Sequence, residues 1–369
     1  KNINIITSTM GYPADDVLFG FKTSTDSTQG YLKSGDLEAR LHSNKPVEQI
    51  AERLTKFADQ LTKQLQAAHF DDKALARYLP NMDLYMKAGK QNPLFQFMHF
   101  RGYDADSLYL DMSAGKDKGL NGHLLLMAFK TGNLLLDKTT VRIYQDSTGV
   151  RLESKIENTK KTNPNRFKAN LNGEMLTDGF SVKALFKDDQ NVEGLNVGVR
   201  ADLSKNGDMT FHLFPEHSVI AYRKFTVNKD NFFTLGKDKH IRANVDLLAD
   251  DRTGLKIITP EGDSTRDVTV SLSRVNLDEL SGVLPFMPKL GGLLSGDIHA
   301  EWKDNDLSAV SQLELQDFRY EECPMGDLEA EVSFLPNGKD KHYIAASVSS
   351  KDQQVVSVFG NYINKGEGS

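Results

Sequence analysis

Hydrophobic and polar residues alternate along most of this chain, from about residue 105 to residue 362. In the stretch "RFKANLNGEM", for example, Phe167 and Leu171 fall on one parity, whereas Lys168 and Asn172 fall on the other. Successive side chains of a β-strand point to opposite faces, so this period of two predicts strands with one apolar face and one polar face. Clean alternation is typical of antiparallel sheets that keep one face in water.

The same alternation recurs in further segments, which turn sequences such as "KNGD" at 205–208 and "DDRTG" at 250–254 separate. Short turns between strands favour a meander. The following residues are the inward, apolar positions that we select as candidates to line a functional surface: Leu152, Phe167, Leu171, Val197, Val199, Val245, Val270, Ile298, Val332 and Phe334.

One segment departs from this period. In "KPVEQIAERLTKFADQLTKQLQAAHF" the apolar residues recur every three or four positions, which predicts an amphipathic helix over about 46–69. Its apolar stripe fits two interpretations, packing against a sheet or lying on lipid or in a lipid groove. A second, short helix is expected over about 71–79, started by Asp71 or Asp72 and stopped by Pro80.

A block with little charge, "LPFMPKLGGLLSGDIHAEW" at 284–302, interrupts the strand pattern. Pro285 is expected to stop a short helix near 277–284, and Gly292 and Gly296 are expected where the chain re-enters the sheet. The Leu-Pro step of "ELSGVLPFM" at 279–287 also occurs in "ALARYLPNM" at 74–82, which favours a repeated architecture. We interpret the block as a joint between successive sheet segments.

The amino-acid composition and charge of the chain exclude several classes of function. The chain has 369 residues, of which 39% are hydrophobic, so its apolar residues are expected to cover one face of thin layers. The net charge of -6 is spread over the chain without a basic block, and nucleic acid is therefore not expected as a partner. The single cysteine, Cys323, rules out an intramolecular disulfide and a cysteine-based zinc site.

We expect the sequence to be a soluble piece of a longer protein, because it begins at Lys1 without Met and contains no apolar run of 18 residues. No motif for nucleophilic catalysis or phosphate binding is present. The nearest pair of histidines, His212 and His217, has no third metal ligand placed close by. We therefore predict no enzymatic activity, no metal and no cofactor.

The C-terminal third resembles the TamB family, the translocation and assembly module subunits related to AsmA. A strand and a short Leu-rich helix lead into "LGGLLSGDIHAEW", and the block "FRYEECPMGDL", from Phe318 to Leu328, opens the next strands. The resemblance is clearest over 219–362, and upstream it depends on the alternating strand pattern and on the repeated Leu-Pro step.

This resemblance implies an elongated antiparallel sheet curled lengthwise into a trough, described as a β-taco, with the ten lining candidates inside as a lipid groove. It also implies a periplasmic location, a parent chain anchored in the inner membrane and an outer-membrane β-barrel partner. The implied function is non-enzymatic transport of phospholipid between the two membranes, in support of outer-membrane biogenesis. The predicted organisation is 1–104 with strands and both helices, 105–362 as a continuous β-region and 363–369 as a tail.

Alternation alone leaves the architecture open, because the inner faces of a closed β-sandwich or barrel would show the same pattern. Two other functions compete with lipid conduction. One is a scaffold or chaperone that offers sheet edges to outer-membrane proteins by β-augmentation. The other is a closed adhesive or carbohydrate-binding sandwich, although the one tryptophan, Trp302, lies in a strand pattern rather than a loop.

Overall fold

The chain is mainly β, with 66% of its residues in strands and 12% in helices. This computed structural model describes residues 3–6, 11–14 and 16–363, apart from 133, 147–148, 164–165, 217, 238–239, 261–266, 284–287, 304–305, 322, 339–340 and 351–352. The predicted class, an antiparallel sheet with one amphipathic helix and short helical turns, is confirmed. The chain divides into two units, Lys1–Val192 and Glu193–Ser369, and the predicted boundary at residue 104 lies inside the first.

The first unit contains the strands β1 (Ile3–Ile6), β2 (Gly11–Ala14), β3 (Val17–Thr23), β4 (Thr28–Ser34), β5 (Leu37–Ser43), β6 (Met82–Ala88), β7 (Tyr103–Asp104), β8 (Ser107–Gly115), β9 (Gly119–Thr131), β10 (Leu134–Asp146), β11 (Gly149–Asn158), β12 (Phe167–Leu176) and β13 (Gly179–Asp188). β1 pairs with β2 alone. From β3 to β13 each strand pairs antiparallel with the next, except that β6 pairs with β8 and the two-residue β7 pairs with β9.

The second unit contains the strands β14 (Glu193–Leu203), β15 (Met209–Leu213), β16 (Ser218–Ile220), β17 (Arg223–Val227), β18 (Phe232–Leu235), β19 (Ile241–Ala249), β20 (Gly254–Ile258), β21 (Asp267–Asn276), β22 (Leu290–Lys303), β23 (Asp306–Tyr320), β24 (Cys323–Pro336), β25 (Lys341–Ser350) and β26 (Gln353–Ile363). β14 pairs with both β15 and β16, and β19 pairs with both β17 and β18. From β19 to β26 the sheet is a simple antiparallel meander.

Four helices are described: α1 (Val47–Gln66), α2 (Asp72–Ala76), α3 (Pro93–Phe100) and α4 (Leu277–Val283). The long helix ends three residues before its predicted end, where Ala68 adopts a left-handed φ of 49°. Asp71 caps α2 as predicted, since its carboxylate accepts a hydrogen bond from the Ala74 amide at 2.8 Å.

The helix α3 was not predicted, although its start carries two standard signals. Asn92 is the N-cap and accepts a hydrogen bond from the Phe95 amide at 3.0 Å, and Pro93 occupies the first helical position, where its missing N–H costs nothing. The segment "PLFQFMHF" is apolar on several sides and too short to show a helical period. The pattern of hydrophobic residues therefore does not identify it as a helix.

Two glycines of β22 are required by backbone geometry. Gly292 and Gly296 have φ values of 109° and 138°, and a Cβ atom on Gly296 would lie 2.1 Å from the Gln312 carbonyl oxygen. The ladder to β23 also shifts register between Gly291 and Leu293, which marks an irregular re-entry into the sheet. Residues 284–287 lie outside the described residues. They include Pro285, which was predicted to end the helix, and the Leu-Pro step that resembles the one at 79–80.

Candidate functional site

The register of the first unit collects apolar side chains on one face of the sheet. Residues that pair directly in an antiparallel ladder point to the same side, and the pairing can be followed from strand to strand. Members of this face include Phe19, Leu32, Ala39, Met86, Leu110, Leu124, Val141, Leu152, Leu171 and Ala184. We call this surface, which covers ten strands from β3 to β13 without β7, the first apolar face.

The opposite face of the same strands is mainly polar and charged. It carries Lys33, Arg40, Lys87, Asp111, Arg142, Glu153, Lys168 and Asn172, among others. Lys138 and Glu157 form an ion pair across β10 and β11 on this side, with Nζ and Oε2 2.7 Å apart. The predicted division into one apolar and one solvated face therefore holds for this unit.

Three predicted lining residues, Leu152, Phe167 and Leu171, lie on the first apolar face, but their surroundings differ. Phe167 is buried and stacks on Phe186 of β13, with ring centroids 5.3 Å apart. Leu152 and Leu171 remain 37% and 40% exposed. A side chain in a packed sandwich core would be almost fully covered, so this part of the apolar face lacks an opposing layer.

The second unit has its own apolar face, built by the same rule from β14 to β26. The seven other predicted lining residues all belong to it: Val197, Val199, Val245, Val270, Ile298, Val332 and Phe334. Val245 is buried in a small cluster with Val227 and Leu247, whereas Val332 is 38% exposed. We call this surface the second apolar face.

The helix α3 covers one end of the first apolar face. Phe95 is 5% exposed and packs with Leu37, Ala88 and Ala105 in a buried cluster of this unit. The buried position of Phe95 was not predicted from the sequence, because it lies in α3, whose sequence shows no helical period.

A hydrogen-bond network attaches the start of α3 to the β4–β5 turn. Asn92, which is buried, donates to Asp36 Oδ1 at 2.6 Å and to the Gly89 carbonyl at 2.7 Å. Burial disfavours the charged form of Asp36, but the hydrogen bonds from Asn92 and from the Gln91 amide outweigh it and hold the pKa of this carboxyl below its ordinary value. The charged carboxylate therefore stabilises the position of α3.

The helix α2 and the segment before it are attached to the sheet at the β12–β13 turn and at the end of β10. The Phe70 amide donates to the Thr177 carbonyl at 2.6 Å, and Gln145 Nε2 donates to the Asp72 carbonyl at 3.1 Å. The apolar stripe of α1 is covered only in part, since Ile50 is buried and Leu54 is half exposed. The stripe of α1 therefore leaves some apolar surface exposed.

His342 is an unusual polar group on the second apolar face. It lies opposite Tyr362 in the ladder and stacks on Phe334, with ring centroids 4.4 Å apart. In the part of the chain that the structure describes, both of its ring nitrogens are buried without a hydrogen-bond partner. A buried polar atom that loses its bonds to water without gaining others destabilises the fold.

We therefore expect His342→Phe to stabilise the protein by about 1–2 kcal/mol, because it removes both unpaired nitrogens and keeps an aromatic ring against Phe334. The measurement is the midpoint of thermal unfolding. Tyr343→Phe is the matched control, since Tyr343 is the next residue and points to the opposite face; it should change stability by less than about 0.5 kcal/mol. A midpoint for His342→Phe at or below that of the unaltered chain would contradict the prediction.

Within the described ranges, no group of three or more His, Cys, Asp or Glu side chains is arranged to hold a metal ion. Cys323 is exposed and free. No helix in the described part of the chain is both long and apolar enough to cross a membrane. Among the described residues, the two apolar faces are therefore the candidate functional surfaces.

Comparison with known proteins adds no relative, because no family model, no curated protein and no solved structure matches this chain. The resemblance to the TamB family stays a prediction that depends on the quoted motifs.

Proposed function

We propose that this chain shelters and conducts phospholipid acyl chains along its apolar sheet faces, without enzymatic activity. The observation that carries the proposal is the incomplete cover of the first apolar face, on which the neighbouring Leu152 and Leu171 are 37% and 40% exposed. A monomeric soluble protein rarely exposes a large contiguous apolar patch unless the patch binds something.

Acyl chains suit such a surface for a physical reason. Each methylene that moves from water to an apolar surface gains about 0.8 kcal/mol, so contact with several strands in a row would hold a chain firmly. The aliphatic side chains on these strands offer no hydrogen bond or charge that would fix the chain at one position. A lipid could therefore move along the face in small steps with no catalytic residue.

The cellular setting of the proposal comes from the TamB-like motifs. They support a periplasmic location, a parent chain anchored in the inner membrane, an outer-membrane β-barrel partner and a role in outer-membrane biogenesis. On this proposal, phospholipid passes between the two membranes along the apolar faces while the charged opposite face stays in water.

Site-specific photo-crosslinking in cells tests this function. A photo-reactive amino acid at Leu171 or Val332, which are inward and about equally exposed, is expected to capture phospholipid. The same probe at Asn172 or Glu331, the outward neighbours of these residues, is expected to capture none.

Equal lipid labelling of both faces would disprove lipid conduction. If the inward probes instead captured protein, the scaffold function by β-augmentation would be favoured. Mass spectrometry of the adducts distinguishes these outcomes, and extraction of phospholipid from the purified chain gives an independent check.

A further inference from the structure

A partly open cavity of about 150 Å³ lies beneath α4 in the second unit. Its exposed lining is almost entirely apolar, and it is contributed by five strands and the helix. The lining residues that matter below are Ile220, Phe225, Leu247, Leu255, Leu272 and Leu280. The first five belong to the second apolar face, so the cavity is a part of that face that α4 covers.

A charged clamp borders the cavity. Arg223 lies opposite Ile220 in the β16–β17 ladder, which places this cation on the second apolar face. Its Nε and Nη2 atoms donate to Oε2 and Oε1 of Glu279 on α4, at 2.6 and 2.8 Å. It also pairs with Asp251 in the β19–β20 turn. A two-point pair between a guanidinium and a carboxylate fixes direction as well as distance, so the clamp holds α4 over the cavity.

The hairpin that carries Arg223 is strained. Ala221 and Tyr222, which form its two-residue loop, have φ values of 49° and 65°. Such loops normally use glycine or asparagine, because other residues adopt the left-handed conformation at a cost. Backbone strain of this kind persists where the surrounding structure imposes it, and it is concentrated at ligand sites and clamps. Here it coincides with the residues that border the cavity.

We propose that this cavity binds the methyl end of a single hydrocarbon chain, whose remaining length lies on the second apolar face. The inference deepens the proposed function, on which it relies for the class of ligand. The exposed lining is almost entirely apolar, and the charged side chains at its border, Arg223 and Glu279, are paired with each other, so the cavity suits a methyl end rather than a head group. An apolar cavity of about this volume stays dry and accepts benzene, so it holds about six carbon atoms. Continuity with the apolar face favours the end of a longer chain over a separate small molecule.

The test uses dodecanoate and an analogue with a diazirine beside its terminal methyl group, both added to the whole chain. Leu255→Trp fills the cavity from β20. Ile258→Trp adds the same ring to the same strand on the opposite, exposed side, and it is the matched control. Each methylene kept out of an apolar site lowers affinity about fourfold, so exclusion of two or more should weaken dodecanoate binding at least tenfold. The control should bind as the unaltered chain does.

The adduct map of the unaltered chain gives a second readout that needs no variant to fold. Adducts at Leu272 or Leu280, together with a tenfold loss in Leu255→Trp alone, would support the inference. Adducts confined to other parts of the apolar face, or equal affinity in both variants, would overturn it while leaving lipid conduction intact. Absence of dodecanoate binding to the unaltered chain would also overturn it. Lipid conduction is tested separately, and it would fail if the probes at Leu171 and Val332 captured no phospholipid or if both faces were labelled equally.

Discussion

Replacing Leu171 with glutamate is expected to lower phospholipid occupancy of the first apolar face by about two orders of magnitude. Leu171 pairs with Ser154, and Leu152 pairs with Gly173, so the two leucines are neighbours on adjacent strands and on the same face. An ionised carboxylate in a hydrocarbon environment costs about 2.5–3.5 kcal/mol, and each 1.4 kcal/mol is about tenfold in occupancy. The measurement is the yield of lipid adduct formed by a photo-reactive residue at position 152, which lies next to the substituted residue.

The matched control is Asn172→Glu, which places the same charge one residue later on the exposed polar face. It should leave the adduct yield at position 152 unchanged. Leu171 is 40% exposed, so the new carboxylate can reach water in the unliganded protein, and both variants should fold. Equal yields in the two folded variants would show that no acyl chain passes over this part of the face.

Much of this surface could be predicted from the sequence, because alternation is a local property. Once Phe167 and Leu171 are assigned to a strand, the pleat requires them to point to the same side, whichever strands lie beside them. All ten predicted lining residues lie on the apolar face of their own unit for this reason.

The burial of those residues depends on neighbours that local sequence does not identify. Phe167 and Leu171 look equivalent by position, yet Phe167 is covered by Phe186 and Leu171 is not. Phe186 is 19 residues away along the chain, and the contact exists only because β12 pairs with β13 in one register. The pattern therefore predicts the face but not which parts of it stay open.

The charged clamp of the second unit could not be predicted from the sequence pattern at all. Arg223 occupies an inward position where alternation predicts an apolar residue, and its partner Glu279 is 56 positions later. Helix α3 was missed for a related reason, since tertiary contacts of Phe95 rather than a periodic stripe define its buried side. Features that depart from the pattern are those at which long-range contacts decide the structure.

The largest loss of stability in the first unit is expected from Phe95→Ala. Phe95 is 5% exposed and fills the cluster formed by Leu37, Ala88 and Ala105, so its truncation leaves a cavity as well as removing buried area. Such changes cost about 3–5 kcal/mol, a large fraction of the stability of an ordinary domain. The midpoint of thermal unfolding measures the loss.

The same helix supplies the control for this variant. Phe97 is 57% exposed, and its ring faces Arg101 at 5.6 Å, so Phe97→Ala should cost no more than about 1 kcal/mol. Hydrogen exchange then locates the effect: in Phe95→Ala, amides of α3 and of the adjoining ends of β5 and β6 should exchange faster, while those near α1 should not. Similar losses in the two variants would mean that α3 contributes no specific packing to this end of the sheet. A large loss confined to Phe95→Ala would instead identify the Phe95 cluster as the contact that closes one end of the first apolar face.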